Sequence, residues 1–312
     1  MRAQLPPFIA GALAATLLVT LPAAALVSAA DDPNPNTFDG TAPTLRLGPV
    51  EFVIGASLDA ADPPNECATW AWNMAIPLRM RWSAADATSG LAGYDVWGVG
   101  PRWDGAVKLV EGSNATTYVY DGSNYSGDCG EGALTANDFW VATKDNRGNT
   151  ATSNLVGQHV DAWQENGVDV SGGPALPLTR TGTWTTANCT CFNNGKTLYS
   201  TAKGASLSYK VTSDKPGETV GVVVEKNSNR GTVNISVDGG TATAVSTYAA
   251  SPKHRVIVWQ KALSVGTHTV KVTNAGTSGR PRVDVDGIML VNGPVRGAPP
   301  EPTQRDPLRT GR

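Results

Sequence analysis

The sequence is poor in charge, aromatic rings and histidine. Of its 312 residues, 17% are charged, 7% are aromatic and three are histidines, while glycine (34) and proline (21) are frequent. This composition argues against long helices and favours short strands joined by many turns. The formal net charge of -2 provides no basic surface for a phosphate backbone, so we expect no nucleic-acid partner.

Motifs for catalysis are also lacking. The three histidines, His159, His254 and His268, lie far apart and do not have the spacing of a zinc site. No Gly-x-Ser-x-Gly nucleophile elbow occurs, and nothing sets two carboxylates across a cleft as glycoside cleavage requires. We therefore expect a protein that is not an enzyme, with His268 as a structural or surface residue.

Long apolar runs are missing after the first thirty residues. Residues 1–30 join Arg2, an apolar stretch and a small-residue end at 27–30, which is typical of a signal peptide with its cleavage site. A retained membrane anchor is the alternative, because the run approaches spanning length. Pro22 and the small residues favour cleavage. We expect a secreted protein, extracellular or at the cell surface, that meets the membrane only through the signal peptide before cleavage.

Cysteine is limited to an even set of four: Cys67, Cys129, Cys189 and Cys191. Thiols of exported proteins usually pair, and four allow three pairings. A Cys67 to Cys129 bridge would close a long loop, worth about 4 kcal/mol in the chain-entropy treatment. In an extended strand, residues two apart set their Cα atoms roughly 6.5–7 Å apart, so a Cys189 to Cys191 bridge needs a local bend. We favour this bridge over free or partly oxidised thiols in a loop.

Apolar residues that alternate with polar ones predict two groups of strands. The clearest pattern is at 254–291, where valines recur at every second position between Gly and Ser turns. The first group of predicted strands comprises 45–54, 78–83, 94–99, 106–110, 116–120, 138–144 and 150–156. The second comprises 207–211, 220–225, 233–237, 243–246, 256–259, 267–272 and 282–290, with a hairpin turn at 238–240.

These groups predict two domains with flexible ends. A polar, Pro-rich lead at 31–43 should be flexible, and a short Gly- and Pro-containing linker is expected at 161–178. The domains themselves are expected at 44–160 and 179–292. The tail at 293–312 is rich in Pro, Arg and Gly and nearly devoid of apolar residues, so it should be disordered.

The first group resembles a fibronectin type III or related bacterial immunoglobulin-like domain. The segments that carry the likeness are RWSAAD at 81–86, SGLAGYDVW at 89–97 and FWVATKDNRGN at 139–149. The resemblance implies that Trp82 and Trp140 are core residues and that this domain acts mainly as a spacer. Two insertions depart from the family pattern, and they carry Cys67 and Cys129.

The second group resembles a jelly-roll domain of the galactose-binding-like type, a fold shared by many carbohydrate-binding modules. The segments that carry this likeness are GTW at 182–184, CF at 191–192, VDG at 237–239, GTHTV at 266–270 and VDVDGI at 283–288. The expected fold class is therefore all-β, with a fibronectin type III-like sandwich followed by a jelly-roll β-sandwich.

Candidate binding residues lie near loops or strand ends of the second group. A sugar site needs aromatic faces that stack on pyranose rings and nearby hydrogen-bond donors, which Trp184, Tyr248, Trp259 and Arg255 could supply. By parity, Trp259 falls off the face of Val258 and should point outward unless a bulge intervenes. Core packing is the alternative for each aromatic residue.

Two acidic residues, Asp284 and Asp286, share one face of a predicted strand. In calcium-binding jelly-roll modules an acidic residue near the last strand often helps to coordinate structural calcium. The resemblance therefore offers Asp284 or Asp286 as a metal ligand, and apart from this structural calcium no cofactor is expected. Ordinary solvent-facing carboxylates are the alternative.

The features together predict an exported, non-catalytic protein that binds a polysaccharide or cell-wall glycan through its C-terminal jelly-roll. The alternative is a structural or adhesive surface protein that binds another protein and has no sugar site. A sugar binder should present a row of aromatic residues on one face, whereas a protein binder should expose a broad apolar patch.

Overall fold

A computed structural model provides the structure of the protein. It describes residues 39–58, 76–99, 106–120, 137–169, 173–292 and 295–296, all within one compact unit, Asp39–Arg312. The predicted signal peptide at 1–30, most of the predicted lead, both Cys67 and Cys129, and nearly all of the predicted tail lie outside the described residues. No helix among the described residues has the length and apolar character needed to cross a membrane.

The described residues form twenty strands and one short 3-10 helix, Asn193–Gly195. The strands of the first half are β1 (Thr44–Leu47), β2 (Glu51–Phe52), β3 (Leu78–Ala85), β4 (Leu91–Val99), β5 (Val107–Ser113), β6 (Thr117–Tyr120), β7 (Asn137–Asp145), β8 (Thr150–Thr152) and β9 (Leu155–Gln164). Those of the second half are β10 (Leu178–Thr181), β11 (Thr185–Asn188), β12 (Lys196–Ser200), β13 (Ser206–Ser213), β14 (Thr219–Lys226), β15 (Thr232–Val237), β16 (Thr243–Ser246), β17 (Lys253–Ala262), β18 (Gly266–Asn274), β19 (Val283–Asn292) and β20 (Val295–Arg296).

The strands form three antiparallel sheets, which confirms the predicted all-β class. One sheet has four strands, with β3 between β1 and β2 and with β6 also paired to β3. A second has five strands in the order β10-β13-β18-β15-β16. The largest, with eleven strands, has the order β11-β12-β19-β9-β7-β4-β5. Strand β14 also belongs to this sheet and pairs with both β19 and β17. The predicted hairpin at 238–240 connects β15 to β16.

Strand β14 is buried on both faces, which explains its uninterrupted apolar sequence. Val222 and Val224 pack into a core shared with the five-stranded sheet, while Val223 packs into a core shared with the four-stranded sheet. The largest sheet thus lies between two hydrophobic cores. Trp82 and Trp140, the expected core residues of the first half, are both buried.

The two predicted sandwiches are joined through the largest sheet. Strand β9 pairs with β7 on one side and with β19 on the other, where Ile288 lies opposite Trp163. The segment 161–178, which was predicted to be a linker, therefore begins with the last four residues of a central strand, Asp161 to Gln164. The first core also contains Ile257 and Met289 from the second half of the chain.

Candidate binding site

Trp259 lies inside the second core rather than on the exterior. It is 9% exposed and packs with the valines of β14 and β17. The pairing register gives the reason, because Trp259 lies opposite Val222 and Ile257 lies opposite Val223, so that Val258 has no partner. This bulge shifts the parity by one residue. The exterior position predicted for Trp259 is therefore wrong.

Arg255 lies at the start of β17 and is turned toward a disulfide loop. Its Nε donates a hydrogen bond to the carbonyl oxygen of Cys191 at 2.9 Å, and its backbone N–H donates to Glu225 Oε1 at 2.9 Å. Cys191 forms a disulfide with Cys189, and their Cα atoms are 5.0 Å apart, so the chain bends as the bridge requires. Arg255 thus holds this loop against the edge of the sheet.

The other two predicted binding residues differ in exposure. Trp184 is half-buried against the second core, and its indole N–H donates to the carbonyl oxygen of Thr181 at 3.2 Å. Tyr248 is 43% exposed, and the guanidinium carbon of Arg280 lies 4.6 Å from its ring centroid. Of the four predicted binding residues, Tyr248 alone is exposed.

A second arginine–tyrosine pair lies two residues along the chain from Arg280. The guanidinium carbon of Arg282 lies 3.9 Å from the ring centroid of Tyr199, and Arg230 forms a β-bridge with Arg282. We name this group the arginine–tyrosine surface. It consists of Tyr199, Arg230, Tyr248, Arg280 and Arg282.

Asp284 forms ion pairs with two of these arginines. Arg282 Nη2 lies 2.6 Å from Asp284 Oδ1, and Arg230 forms a second ion pair with the same carboxylate. Asp284 is fully buried, as is Asp286, so the solvent-facing alternative for both carboxylates is wrong. Both oxygens of Asp284 are occupied by guanidinium groups, which leaves it little capacity to bind a metal ion.

Asp286 has no such cation partner among the described residues. Its carboxylate accepts the backbone N–H of Asn193 at 3.2 Å, and burial together with the negative charge of Glu225 raises its pKa well above the ordinary value. The side-chain amide of Asn193 is fully buried without a partner, as is one carboxylate oxygen of Glu165. Of the two residues predicted to bind calcium, Asp286 is therefore the one with unpaired oxygen atoms near it, those of the Asn193 and Glu165 side chains.

A separate acidic group lies in the first half of the chain. Ligand atoms of Asp39, Asp86 and Asp145 lie within 4.8 Å of one another, close enough to hold a hard cation. Asp86 accepts the backbone N–H of Ser89 at 2.7 Å, and Asp145 accepts that of Asn149 at 2.8 Å. The backbone hydrogen bonds lower the pKa of Asp86. The carboxylates of Asp86 and Asp145 therefore stabilise the turns that follow them, and this role needs no ion.

A polar hollow on the first half of the chain contains compensated charge. It has a volume of about 150 Å³. Lys108 lies in it with Asp95 at 3.1 Å and Glu111 at 2.8 Å, and its Nζ also lies 5.1 Å from the ring centroid of Trp97. A drug-sized ligand needs a pocket of roughly 300 Å³ or more, so this hollow is a weaker candidate for a binding site.

His268 has partners at both ring nitrogens. Nδ1 lies 2.6 Å from Asp238 Oδ2, and Nε2 lies 2.8 Å from the carbonyl oxygen of Ser264 but 3.4 Å from its hydroxyl oxygen. Facing two acceptors, the ring is best satisfied as an imidazolium that donates from both nitrogens. The hydrogen bond with Asp238 raises the pKa of His268 accordingly. This ring is a poor base for the nearby serine and serves to tie two loops together.

The His268 ion pair predicts a pH dependence of stability. Because the folded-state pKa of His268 is raised above its ordinary 6.5, its stabilising contribution is present below that pH and is lost as the pH rises through the folded value. The pKa of Asp238 is lowered by the same hydrogen bond, so its contribution is lost only in acid, below its ordinary 3.8. His268→Gln should therefore reduce stability by up to about 1 kcal/mol near pH 5 and by less near pH 8.

Urea unfolding of the wild-type protein and of His268→Gln at both pH values measures this difference. Asp238→Asn is the matched variant and should show the same loss near pH 5. An equal loss at both pH values would mean that packing, rather than charge, accounts for the role of His268.

Sequence reasoning missed most of the arginine–tyrosine surface. Tyr248 was predicted as a binding residue, but Arg280 and Arg282 were not, although they alternate with Pro281 and Val283 directly before Asp284. The Arg-x-Arg-x-Asp spacing places these three side chains on one side of an extended segment, and it was the available signal. Arg230 is distant in the chain, and no local pattern connects it to Asp284.

Comparison with known proteins gives remote likenesses alone. No protein-family model matches the chain, and no curated protein matches it. Three of the similar solved structures are carbohydrate-binding modules. The family 35 carbohydrate binding module from Clostridium thermocellum is 20% identical, with a TM-score of 0.31 and coverage of 36% of this chain and 91% of that one. CBM35 from Cellvibrio japonicus Abf62 is 16% identical, with a TM-score of 0.33 and coverage of 45% and 97%.

The third is the CBM36-1 domain of a multidomain xylanase from the hindgut metagenome of Trinervitermes trinervoides. It is 14% identical, with a TM-score of 0.30 and coverage of 42% of this chain and 96% of that one. Likenesses at this level do not assign a function to the protein.

Proposed function

We propose that this protein is an exported, non-catalytic carbohydrate-binding protein whose site is the arginine–tyrosine surface. The observation that carries the proposal is the exposed side chain of Tyr248 with the Arg280 guanidinium over its ring. A planar aromatic face next to hydrogen-bond donors is the combination that binds pyranose rings. The strands of residues 44–160 support this half of the molecule through the shared sheet and core.

The revised site differs from the one predicted by sequence. Tyr248 stays in it, while Trp259 is a core residue and Arg255 holds the disulfide loop. Among the described residues, the markedly exposed large apolar side chains are Ile54, Val119, Val168, Tyr248 and Val265. Since only one of them is aromatic, the site has one exposed ring with charged neighbours rather than the expected row of aromatics.

Replacement of Tyr248 by alanine tests the proposal. We expect the variant to bind its polysaccharide about tenfold more weakly, since an aromatic contact worth about 1.4 kcal/mol changes a dissociation constant by that factor. Affinity electrophoresis of the full chain in gels containing a panel of neutral and acidic polysaccharides measures the change in retention. The ring lies on the surface, so the fold should be preserved, and near-UV circular dichroism verifies this.

Val265→Ala is the matched control, because Val265 is 58% exposed and lies in a different loop. It should leave retention unchanged. A wild-type protein that is retained by no polysaccharide would contradict the proposal and leave the adhesive, protein-binding alternative. Equal retention of the wild-type protein and of Tyr248→Ala would remove the surface from the site.

A further inference from the structure

Three of the four chain segments that form the arginine–tyrosine surface meet at Gly231. Thr247 donates its backbone N–H and its hydroxyl to the Gly231 carbonyl oxygen, both at 2.9 Å, and the Gly231 N–H donates to the Arg282 carbonyl oxygen at 2.9 Å. A Cβ atom at position 231 would collide with the backbone of Arg280. Glycine therefore lets the segments bearing Arg230, Tyr248 and Arg280 approach one another closely.

The surface has more positive than negative charge. Asp284 is shared by Arg230 and Arg282, so one carboxylate faces two guanidinium groups. Among the described residues, Arg280 has no carboxylate at ion-pair distance. The nearby Glu225 is engaged by His254 and by the backbone N–H of Arg255. The guanidinium of Arg280 is therefore left without a carboxylate to balance it, in a protein whose formal net charge is -2.

The guanidinium groups are held in fixed positions. Arg282 lies over the ring of Tyr199 and is bound to Asp284 through Nε and Nη2, and Arg280 lies by the ring of Tyr248. Arginines stacked on aromatic rings lose little side-chain freedom when they bind a further group, and their planar fork fits carboxylates with two parallel hydrogen bonds.

We propose that the ligand of this surface is an anionic saccharide, one whose sugar rings bear carboxylate or sulfate groups. The inference rests on the proposed carbohydrate binding and specifies its substrate class. In it, Tyr248 stacks on a sugar ring and Arg280 pairs with the acidic group of the same or the next residue. The local charge is too small to hold a nucleic-acid backbone, which needs many phosphate contacts for stable binding.

A matched pair of polymers tests the charge requirement. Polygalacturonate and its methyl ester have the same backbone and differ in the carboxylate charge, and dextran sulfate tests the sulfate alternative. We expect the full-length mature protein to bind at least one of the two acidic polymers about tenfold more tightly than the neutral ester, since charge-assisted hydrogen bonds are worth about that factor. Isothermal titration calorimetry at two salt concentrations measures the constants, and binding should weaken with added salt.

Arg280→Gln should abolish the preference for the acidic polymer, because it removes the guanidinium that has no carboxylate partner. Arg180→Gln is the matched control, since Arg180 is an exposed arginine on β10 and should leave the preference intact. Equal binding of the acidic and neutral polymers would overturn this inference but preserve the proposed function. Binding of no saccharide would overturn both. Equally tight, Arg280-dependent binding of DNA or anionic vesicles would identify the surface as a general polyanion site and also overturn the inference.

Discussion

Replacing Asp284 by alanine is expected to lower the free energy of unfolding by about 3–5 kcal/mol, because it leaves buried cationic charge without a partner. Asp284 is fully buried and bound by Arg230 and Arg282, and Arg230 is itself 7% exposed. Burial lowers the pKa of Arg230, and the negative charge of Asp284 opposes this shift. Guanidinium chloride unfolding at neutral pH, followed by tryptophan fluorescence, measures the loss.

The carboxylate two residues along the same strand is the matched control. Asp286 is equally buried but has no arginine bound to it among the described residues, and it accepts a backbone N–H that an amide oxygen can also accept. Asp286→Asn should therefore change stability by less than about 1 kcal/mol. If Asp286→Asn in the absence of added ions cost as much as Asp284→Ala, burial alone would explain both results. A loss seen with calcium and absent with chelator would identify Asp286 as the calcium ligand.

The double replacement Asp284→Leu with Arg230→Met separates charge pairing from packing. Exchanging a buried ion pair for apolar side chains of similar volume is often neutral or stabilising. The double variant should thus regain much of the stability that Asp284→Ala loses. If it were as unstable as the single variant, the shape of the site rather than its charge balance would be the main contribution of Asp284.

Apolar residues at every second position were sufficient to predict several of the strands from the sequence. Alternation at 254–291 predicted three strands, and the structure has β17, β18 and β19 there. Alternation needs only local sequence, because successive side chains of a strand point to opposite faces. The Asp238-Gly239 turn was predicted for the same reason, since the turn type is set by the residues within it.

The prediction of which side chains share a strand face was wrong where the strand pairing contains a bulge. The bulge at Val258 turns Trp259 inward, and a second one in the β14 to β19 register lies between Val285 and Gly287. A bulge adds one residue to one strand, and the apolar pattern of a strand buried on both faces gives no sign of it. The candidate site was hard to predict for a related reason. The partner of Asp284 is Arg230, which lies 54 positions away and is brought to it by strand pairing that no local pattern specifies.

The sequence predicts two domains joined by a linker, whereas the two halves of the structure share a sheet and a core. Replacement of Phe52 tests whether the halves are stable independently. Phe52 lies in the first half, is fully buried, and contacts the second half directly. Its backbone N–H donates to Gln260 Oε1 at 2.6 Å, and a Cβ atom at Gly221 would lie 2.8 Å from its ring. Phe52→Ala should therefore lower the free energy of unfolding by about 3–5 kcal/mol, as expected for a deleted core aromatic.

The manner of unfolding is the sharper part of this prediction. Because β9 pairs with β19 and the first core includes Ile257 and Met289, both halves should unfold in one transition. Urea unfolding of the protein, followed by far-UV circular dichroism and tryptophan fluorescence, should give coincident curves that shift together in Phe52→Ala. Ile54→Ala, at an exposed position two residues along, should change stability by less than about 0.5 kcal/mol. Two separate transitions, with Phe52→Ala moving the first alone, would instead support independent domains joined by a linker. Expression of residues 179–292 alone is the complementary test, because that segment would expose Ile257 and Met289 to water and should not fold stably.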